Sequence, residues 1–260
     1  TYSLASGTLP PGTTLNTSTG AVTGTPTTAG TYTYANGQNV TLAANPGGTI
    51  TLDINDNDAA TSVAGSLNVT LSANTTAQVN VNNTADQIDT LNISAAVAQT
   101  ALDVRADSTA TTGDTVKLSG SKAYTFAATS TALVMDASAA TGVITATAAA
   151  AKLKSVIGGT AADVLTITAN EASTSVDGNA GNDTITVNGT YLSTQTIKGG
   201  AGTDTLSVGG NSDISAATVS SIEIIAQGAN TFQLSQAQAV DGLVFTGTGA
   251  VTVSNLGANV

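Results

Sequence analysis

Aspartates that close glycine-rich turns recur at regular spacing in the C-terminal half of the chain. The segments GGTAAD, GNAGND and GGAGTD end at Asp163, Asp183 and Asp204, which are 20 and 21 residues apart. Glycine permits positive φ values that let backbone carbonyls converge on one point, and aspartate adds a carboxylate. These oxygen groups are the ligands that Ca²⁺ prefers, so the pattern predicts calcium-binding turns.

The spacing also predicts the elements that position these turns. Apolar residues at fixed offsets from the aspartates align in three columns, Val156/Val176/Ile197, Leu165/Ile185/Leu206 and Ile167/Val187/Val208. Such columns are typical of a parallel β-helix, in which each coil buries its apolar face only against its neighbours. Elsewhere, short alternating segments such as Leu67-Asn-Val69-Thr-Leu71 predict an all-β fold.

Each calcium ion is expected between two successive turns. One ion would lie between Asp163 and Asp183 and a second between Asp183 and Asp204, with turn carbonyls completing each site. The expected metal-binding positions in these turns are Asp163, Asp183, Asp204, Gly158, Thr160, Gly178, Ala180, Gly199, Gly200 and Gly202. The alternative is a calcium-free β-helix in which the Gly-Asp segments serve only as turns.

The turns carry a resemblance to a known family. The segment GGAGTDTLS, residues 199–207, matches the nonapeptide G-G-x-G-x-D-x-U-x of repeats-in-toxin (RTX) β-rolls, and the other two segments each lack one glycine. With the Thr/Ala/Ser-rich background and the segment SAATVSSIEIIAQGANTFQL, the chain resembles RTX-type surface-layer (S-layer) proteins of the caulobacter type. The resemblance implies a right-handed parallel β-helix or β-roll, type I secretion, calcium-dependent folding outside the cell and assembly into a lattice.

The N-terminal part carries a different pattern. Residues 9–34 hold the turn signals L-P-P-G, T-G, G-T-P and A-G-T-Y and resemble bacterial immunoglobulin-like domains. We therefore expect three parts: an N-terminally incomplete immunoglobulin-like sandwich over 1–58, a β-rich, solenoid-like region over 59–152 and the RTX β-helix over 153–260. Within them, residues 139–154 fit a helix or a strand about equally well.

An acidic run ends the expected sandwich. The sequence DINDND, residues 53–58, places oxygen-bearing side chains in succession, and a hard cation would offset their mutual repulsion. The run resembles the calcium-binding linker of cadherin-type repeats. That resemblance implies a calcium site at Asn55 and Asp56, with Asp58 also a candidate ligand, whereas the alternative is a solvated turn.

Composition excludes several classes of function. The 260 residues include no Cys, His or Trp, which removes histidine-dependent and cysteine-dependent catalytic relays and ordinary zinc sites. With 6 basic and 17 acidic residues, the formal net charge of −11 argues against binding to nucleic acid. No apolar run approaches the about 20 residues of a membrane-spanning helix, so no membrane insertion is expected.

We therefore expect a structural, calcium-binding protein of the bacterial cell surface, extracellular and self-assembling into a surface layer. Its expected partners are copies of itself, with cell-surface polysaccharide as a further candidate. The alternatives are a stalk segment of a type I-secreted RTX adhesin and the RTX tail of an enzyme whose catalytic part lies elsewhere. No catalytic residue is predicted, because Glu171 and Glu223 are expected to face solvent on strands or turns.

Overall fold

The structure is a computed structural model, which describes residues 1, 3, 9, 11–19, 21–24, 30–35, 39–42, 50–55, 66–74, 78–82, 90–105, 115–128, 130, 134–149, 153–239 and 242–254. All regular secondary structure in these residues is β-strand, which confirms the all-β prediction. No helix in the described residues could span a membrane. The chain divides into two compact units, Thr1–Gly142 and Val143–Val260.

The described residues of the first unit form twelve strands. These are β1 (Thr13–Leu15), β2 (Ala21–Gly24), β3 (Gly30–Ala35), β4 (Asn39–Leu42), β5 (Ile50–Asn55), β6 (Ser66–Leu71), β7 (Gln78–Asn82), β8 (Thr90–Ala95), β9 (Gln99–Arg105), β10 (Thr115–Gly120), β11 (Tyr124–Phe126) and β12 (Val134–Ala140). One sheet has the order β1-β2-β4-β6-β8-β10-β12, and the other has the order β3-β5-β7-β9-β11. Successive strands alternate between the sheets from β2 onward, so each pair forms one coil of a parallel β-solenoid.

The second unit repeats this arrangement. Its strands are β13 (Ile144–Ala148), β14 (Ser155–Ile157), β15 (Val164–Ile167), β16 (Ser175–Asp177), β17 (Thr184–Thr190), β18 (Thr196–Lys198), β19 (Thr205–Asp213), β20 (Thr218–Ser220), β21 (Ile224–Gly228), β22 (Phe232–Ser235), β23 (Val244–Gly247) and β24 (Val251–Ser254). One sheet has the order β14-β16-β18-β20 and the other β13-β15-β17-β19-β21-β23, while β22 pairs with β19 and β24. The segment that fitted helix or strand equally well therefore contains strand β13.

Apolar columns form the core between the sheets. Val156 pairs with Val176, and Val176 with Ile197, in parallel register. Leu165, Ile185 and Leu206 follow the same order in the facing sheet, and all these side chains are buried. Burying a Val, Leu or Ile side chain contributes about 1.5–3 kcal/mol, so every coil is stabilised by the coils on either side.

The structure does not show the immunoglobulin-like sandwich expected over residues 1–58. Strand β2 pairs with β4 in parallel, and β3 pairs with β5 in parallel, whereas the sheets of such a sandwich are antiparallel. Only β1 and β2 pair antiparallel in the described residues of this stretch. The turn signals predict short strands but do not determine which strand each one pairs with.

Candidate metal centre

Each predicted aspartate stands at a corner of the second unit. A short strand, a glycine turn, the aspartate and the next strand follow one another in each of these three coils, so β15, β17 and β19 each begin one residue after an aspartate. Parallel pairing stacks these corners, because Thr184 N donates to Asp163 O at 2.9 Å and Thr205 N donates to Asp183 O at 2.8 Å. We call residues 158–163, 178–183 and 199–204 the Asp163, Asp183 and Asp204 corners.

The three carboxylates are buried and linked into a column. Asp163, Asp183 and Asp204 are 1%, 1% and 0% exposed. Their Oδ1 atoms accept backbone N–H groups from the preceding coil, those of Ile144 at 2.7 Å, Asp163 at 2.7 Å and Asp183 at 2.8 Å. The aspartates are therefore brought together as the spacing predicted, and each one fixes the position of the coil before it.

Glu223 extends the column by a fourth carboxylate, which the sequence analysis missed. Its Oε2 accepts the backbone N–H of Asp204 at 2.8 Å, the same link that the aspartates make. We expected Glu223 to face solvent, but the side chain is only half-exposed and joins the stack. The position of Glu223 in the sequence could have indicated this role, because it lies 19 residues after Asp204 and directly precedes strand β21.

The second carboxylate oxygens differ between the corners. Asp163 Oδ2 accepts the backbone N–H of Gly159 at 2.6 Å. Asp183 Oδ2 and Asp204 Oδ2 are buried and have no hydrogen-bond partner among the described residues. A buried acceptor without a partner costs about 1–3 kcal/mol, and more when it is charged, so these two oxygens require a cation, a proton or a donor from outside the described residues.

A backbone carbonyl of the following coil faces each of these oxygens over a glycine. A Cβ added to Gly178 would collide with both Asp183 Oδ2 and the carbonyl oxygen of Gly199. A Cβ added to Gly199 would lie 2.6 Å from Asp204 Oδ2 and would collide with the carbonyl oxygen of Ser221. Only glycine leaves this space open, and two acceptor oxygens converge on it at each corner.

The arrangement is electrostatically unfavourable while the carboxylates are ionised. Burial raises the pKa of Asp183 to about 6; the hydrogen bond from Asp163 N lowers it, while the charges of Asp163, Asp204 and Asp177 raise it. Burial also raises the pKa values of Asp163 and Asp204. A divalent cation would compensate this repulsion, because it interacts with the ionised form.

The donor set fits a hard cation that takes oxygen ligands. Asp183 and Asp204 each contribute a carboxylate oxygen, and the carbonyls of Gly199 and Ser221 lie beside them. The described residues contain no group of three or more acidic, His or Cys side chains that could hold a metal. Carbonyls and water would therefore complete the coordination, as in many Ca²⁺ sites.

The other expected positions have more limited roles. Gly200 and Gly202 adopt φ values of 117° and 146°, and a Cβ on either would collide with the backbone of the preceding coil. Ala180 forms a parallel bridge with Ala201, and Thr160 is exposed. In the acidic run, Asn55 is the last residue of β5, and Asp56 and Asp58 lie outside the described residues.

Comparison of the chain with known protein families, with curated proteins and with solved structures finds no match.

Proposed function

We propose that this chain is a structural, calcium-binding protein of the bacterial cell surface that assembles with copies of itself into a surface layer. The observation that carries the proposal is the pair of buried oxygens, Asp183 Oδ2 and Asp204 Oδ2, that have no partner within the described chain. An extracellular location suits these oxygen ligands, because a site with one carboxylate per corner is expected to bind Ca²⁺ weakly. Extracellular modules bind Ca²⁺ with dissociation constants of about 10⁻⁴ to 10⁻³ M.

Calcium would act here as a structural element. Each coil contacts only its neighbours, and at the corners the contact is a hydrogen bond from the backbone N–H of one coil to the aspartate carboxylate of the next. A cation beside Asp183 or Asp204 would add a second bridge between two neighbouring coils. Because calcium would bind the stacked form and not the unfolded chain, its binding free energy would add to the free energy of folding. The chain is therefore expected to complete its fold where calcium is abundant. This supports secretion before final folding.

Self-assembly is supported by exposed apolar residues on the last strands of the second unit. Strand β23 is the last of its sheet among the described residues and carries Val244 and Phe245, which are 52% and 40% exposed. Val251 on β24 is 39% exposed. An edge strand with unpaired backbone groups and apolar side chains favours pairing with a further strand, and a second copy would supply one.

Electron microscopy of the purified chain, with calcium and after chelation, tests the proposal. We expect ordered sheets in calcium and dispersed particles in chelator. Isolated rods that need calcium but never form sheets would instead support the adhesin stalk. Particles that look alike and remain dispersed in both conditions would contradict the surface-layer function.

A further inference from the structure

The Asp163 corner supplies its own hydrogen-bond donors. Asp163 Oδ2 is occupied by the N–H of Gly159. The side-chain amide of Asn179, from the next coil, donates to the carbonyls of Gly159 at 3.0 Å and Gly158 at 3.4 Å. Asp163 Oδ2 and these two carbonyls therefore face N–H groups of the chain, although the Gly178 carbonyl also faces Asp163 Oδ2 over Gly158.

Asn179 stands where the repeat would place a glycine. It adopts a φ of 71°, a conformation that asparagine tolerates better than most residues, and its backbone N–H donates to Asp177 Oδ1 at 2.9 Å. One coil later the equivalent position is Gly200, which has no side chain. No amide therefore reaches the carbonyls of the Asp183 corner from that position.

The Asp204 corner lies next to a turn that carries no glycine–aspartate motif. That turn, residues 220–223, places the Ser221 carbonyl opposite Asp204 Oδ2 and the Glu223 carboxylate on the backbone N–H of Asp204. Ser221 adopts a φ of 53°, which is uncommon outside glycine. Asp204 Oδ2 is nevertheless buried without a partner in the part of the chain that the structure describes, as is Asp183 Oδ2.

We propose that the second unit binds two calcium-class divalent cations, one at the Asp183 corner and one at the Asp204 corner, and that the backbone N–H of Gly159, which occupies Asp163 Oδ2, closes the Asp163 corner to metal. The inference rests on the proposed calcium binding. It keeps the ion expected between Asp183 and Asp204, replaces the one expected between Asp163 and Asp183 by an ion between Asp204 and the following turn, and adds Ser221 and Glu223 to a site that no sequence motif marks.

The predicted ligands are the two buried carboxylate oxygens that lack a partner among the described residues and the carbonyl that faces each of them. At the Asp183 corner they are Asp183 Oδ2 and the Gly199 carbonyl, and at the Asp204 corner they are Asp204 Oδ2 and the Ser221 carbonyl. Glu223 is a positioning residue, because its carboxylate holds the Asp204 backbone through Oε2. Water completes each coordination shell.

Calorimetric titration of the chelator-treated full chain with CaCl₂ tests the stoichiometry. We expect two sites in the unsubstituted chain and one in Asp204→Asn. Glu223→Gln is expected to weaken one of the two sites by about 10- to 100-fold, as loss of an outer-shell partner does. Asn179→Gly, which restores the glycine of the repeat, leaves Asp163 Oδ2 bonded to the Gly159 N–H and is therefore expected to keep two sites.

Thermal unfolding separates metal binding from damage to the fold. Asp204→Asn places an amide opposite the Ser221 carbonyl, much as the Asn179 amide donates to the Gly159 carbonyl of the Asp163 corner. The Tm of this variant in chelator is therefore expected to rise, and the increase in Tm caused by calcium is expected to shrink. Asp163→Asn places an amide opposite the Gly159 N–H, so its Tm is expected to fall in calcium and in chelator alike, with two calcium sites retained.

The outcomes distinguish this inference from the function on which it rests. If the unsubstituted chain neither binds calcium nor gains stability from it, the proposed function fails. If calcium binds but Asp163→Asn removes a site, or Asn179→Gly adds one, the calcium-binding function stands and the inference is overturned. Asn179→Gly leaves the carboxylates in place, so the test does not depend on how well Asp163→Asn folds.

Discussion

The carboxylate of Asp204 accepts a hydrogen bond from the backbone N–H of Asp183 at 2.8 Å, across the boundary between two coils. The same link joins Asp183 to the N–H of Asp163 at 2.7 Å. One oxygen of each carboxylate thus fixes the stacking of the backbone. At Asp183 and Asp204 the other oxygen is buried and has no partner among the residues that the structure describes, and a cation there would offset its negative charge.

Asp183→Ala is expected to weaken calcium-induced folding more than Asp213→Ala. The first substitution leaves the buried N–H of Asp163 unpaired, at a cost of about 1–3 kcal/mol, and removes an expected calcium ligand. Asp213 bonds to Ser215 and Gln233 away from the corners, so its loss should cost roughly 1 kcal/mol. Circular dichroism during a calcium titration measures both effects, and equal curves would contradict the assignment of Asp183.

The stability of the calcium-free protein should increase as the pH falls. Burial raises the pKa of Asp183 from 3.8 to about 6, so the folded state holds a proton that the unfolded state releases between these values. Stabilisation from this proton is complete below the unfolded pKa and is lost as the pH rises through the folded pKa. From pH 7 to pH 5, the free energy of unfolding should rise by about 1 kcal/mol from this group alone.

Denaturant unfolding in chelator at several pH values measures this effect, and Asp183→Asn is the matched control because its side chain does not titrate. In saturating calcium the trend should reverse, because protons compete with the metal for the same carboxylates. A calcium-free protein that loses stability steadily from pH 7 to pH 5 would contradict the burial of an ionised Asp183.

Gly178→Ala should destabilise the second unit and abolish the part of the stabilisation by calcium that comes from the Asp183 corner. The new methyl group would collide with Asp183 Oδ2 and the Gly199 carbonyl, in the space where the cation is expected. Overpacking of this kind costs about 1–3 kcal/mol. Gly209→Ala is the control, because its nearest neighbour would be a Thr186 methyl group at 3.4 Å. Similar losses of stability in the two variants would argue against a tightly packed corner at Gly178.

Tyr191→Phe should destabilise the fold without changing its response to calcium. The Tyr191 hydroxyl donates to the carbonyl of Ile167 at 2.7 Å and accepts the N–H of Asn188 at 2.9 Å, and the side chain is buried. Removing the hydroxyl leaves these groups unpaired, at a cost of about 1–3 kcal/mol. Tm measurements in calcium and in chelator should show equal decreases; a decrease confined to calcium would connect Tyr191 to the metal.

Much of the second unit could be predicted from spacing. Spacings of 20 and 21 residues between the aspartates predict coils of nearly equal length, and such coils place Val156, Val176 and Ile197 in one column. The direction and partner of the N-terminal strands could not be predicted in the same way. Alternating side chains and turn residues have the same appearance in a sandwich and in a solenoid, so only the observed pairing of β2 with β4 distinguishes them.

The amino-acid sequence by itself determined the period of the coils, the apolar columns and the stacking of three aspartates, because these depend on residue types at fixed intervals along the chain. Only the tertiary structure decided which carboxylate oxygens have partners, that Glu223 joins the column and that Asn179 serves the Asp163 corner. Those facts depend on contacts between successive coils, where a side chain from one coil meets the backbone of another, and no local pattern specifies such a contact.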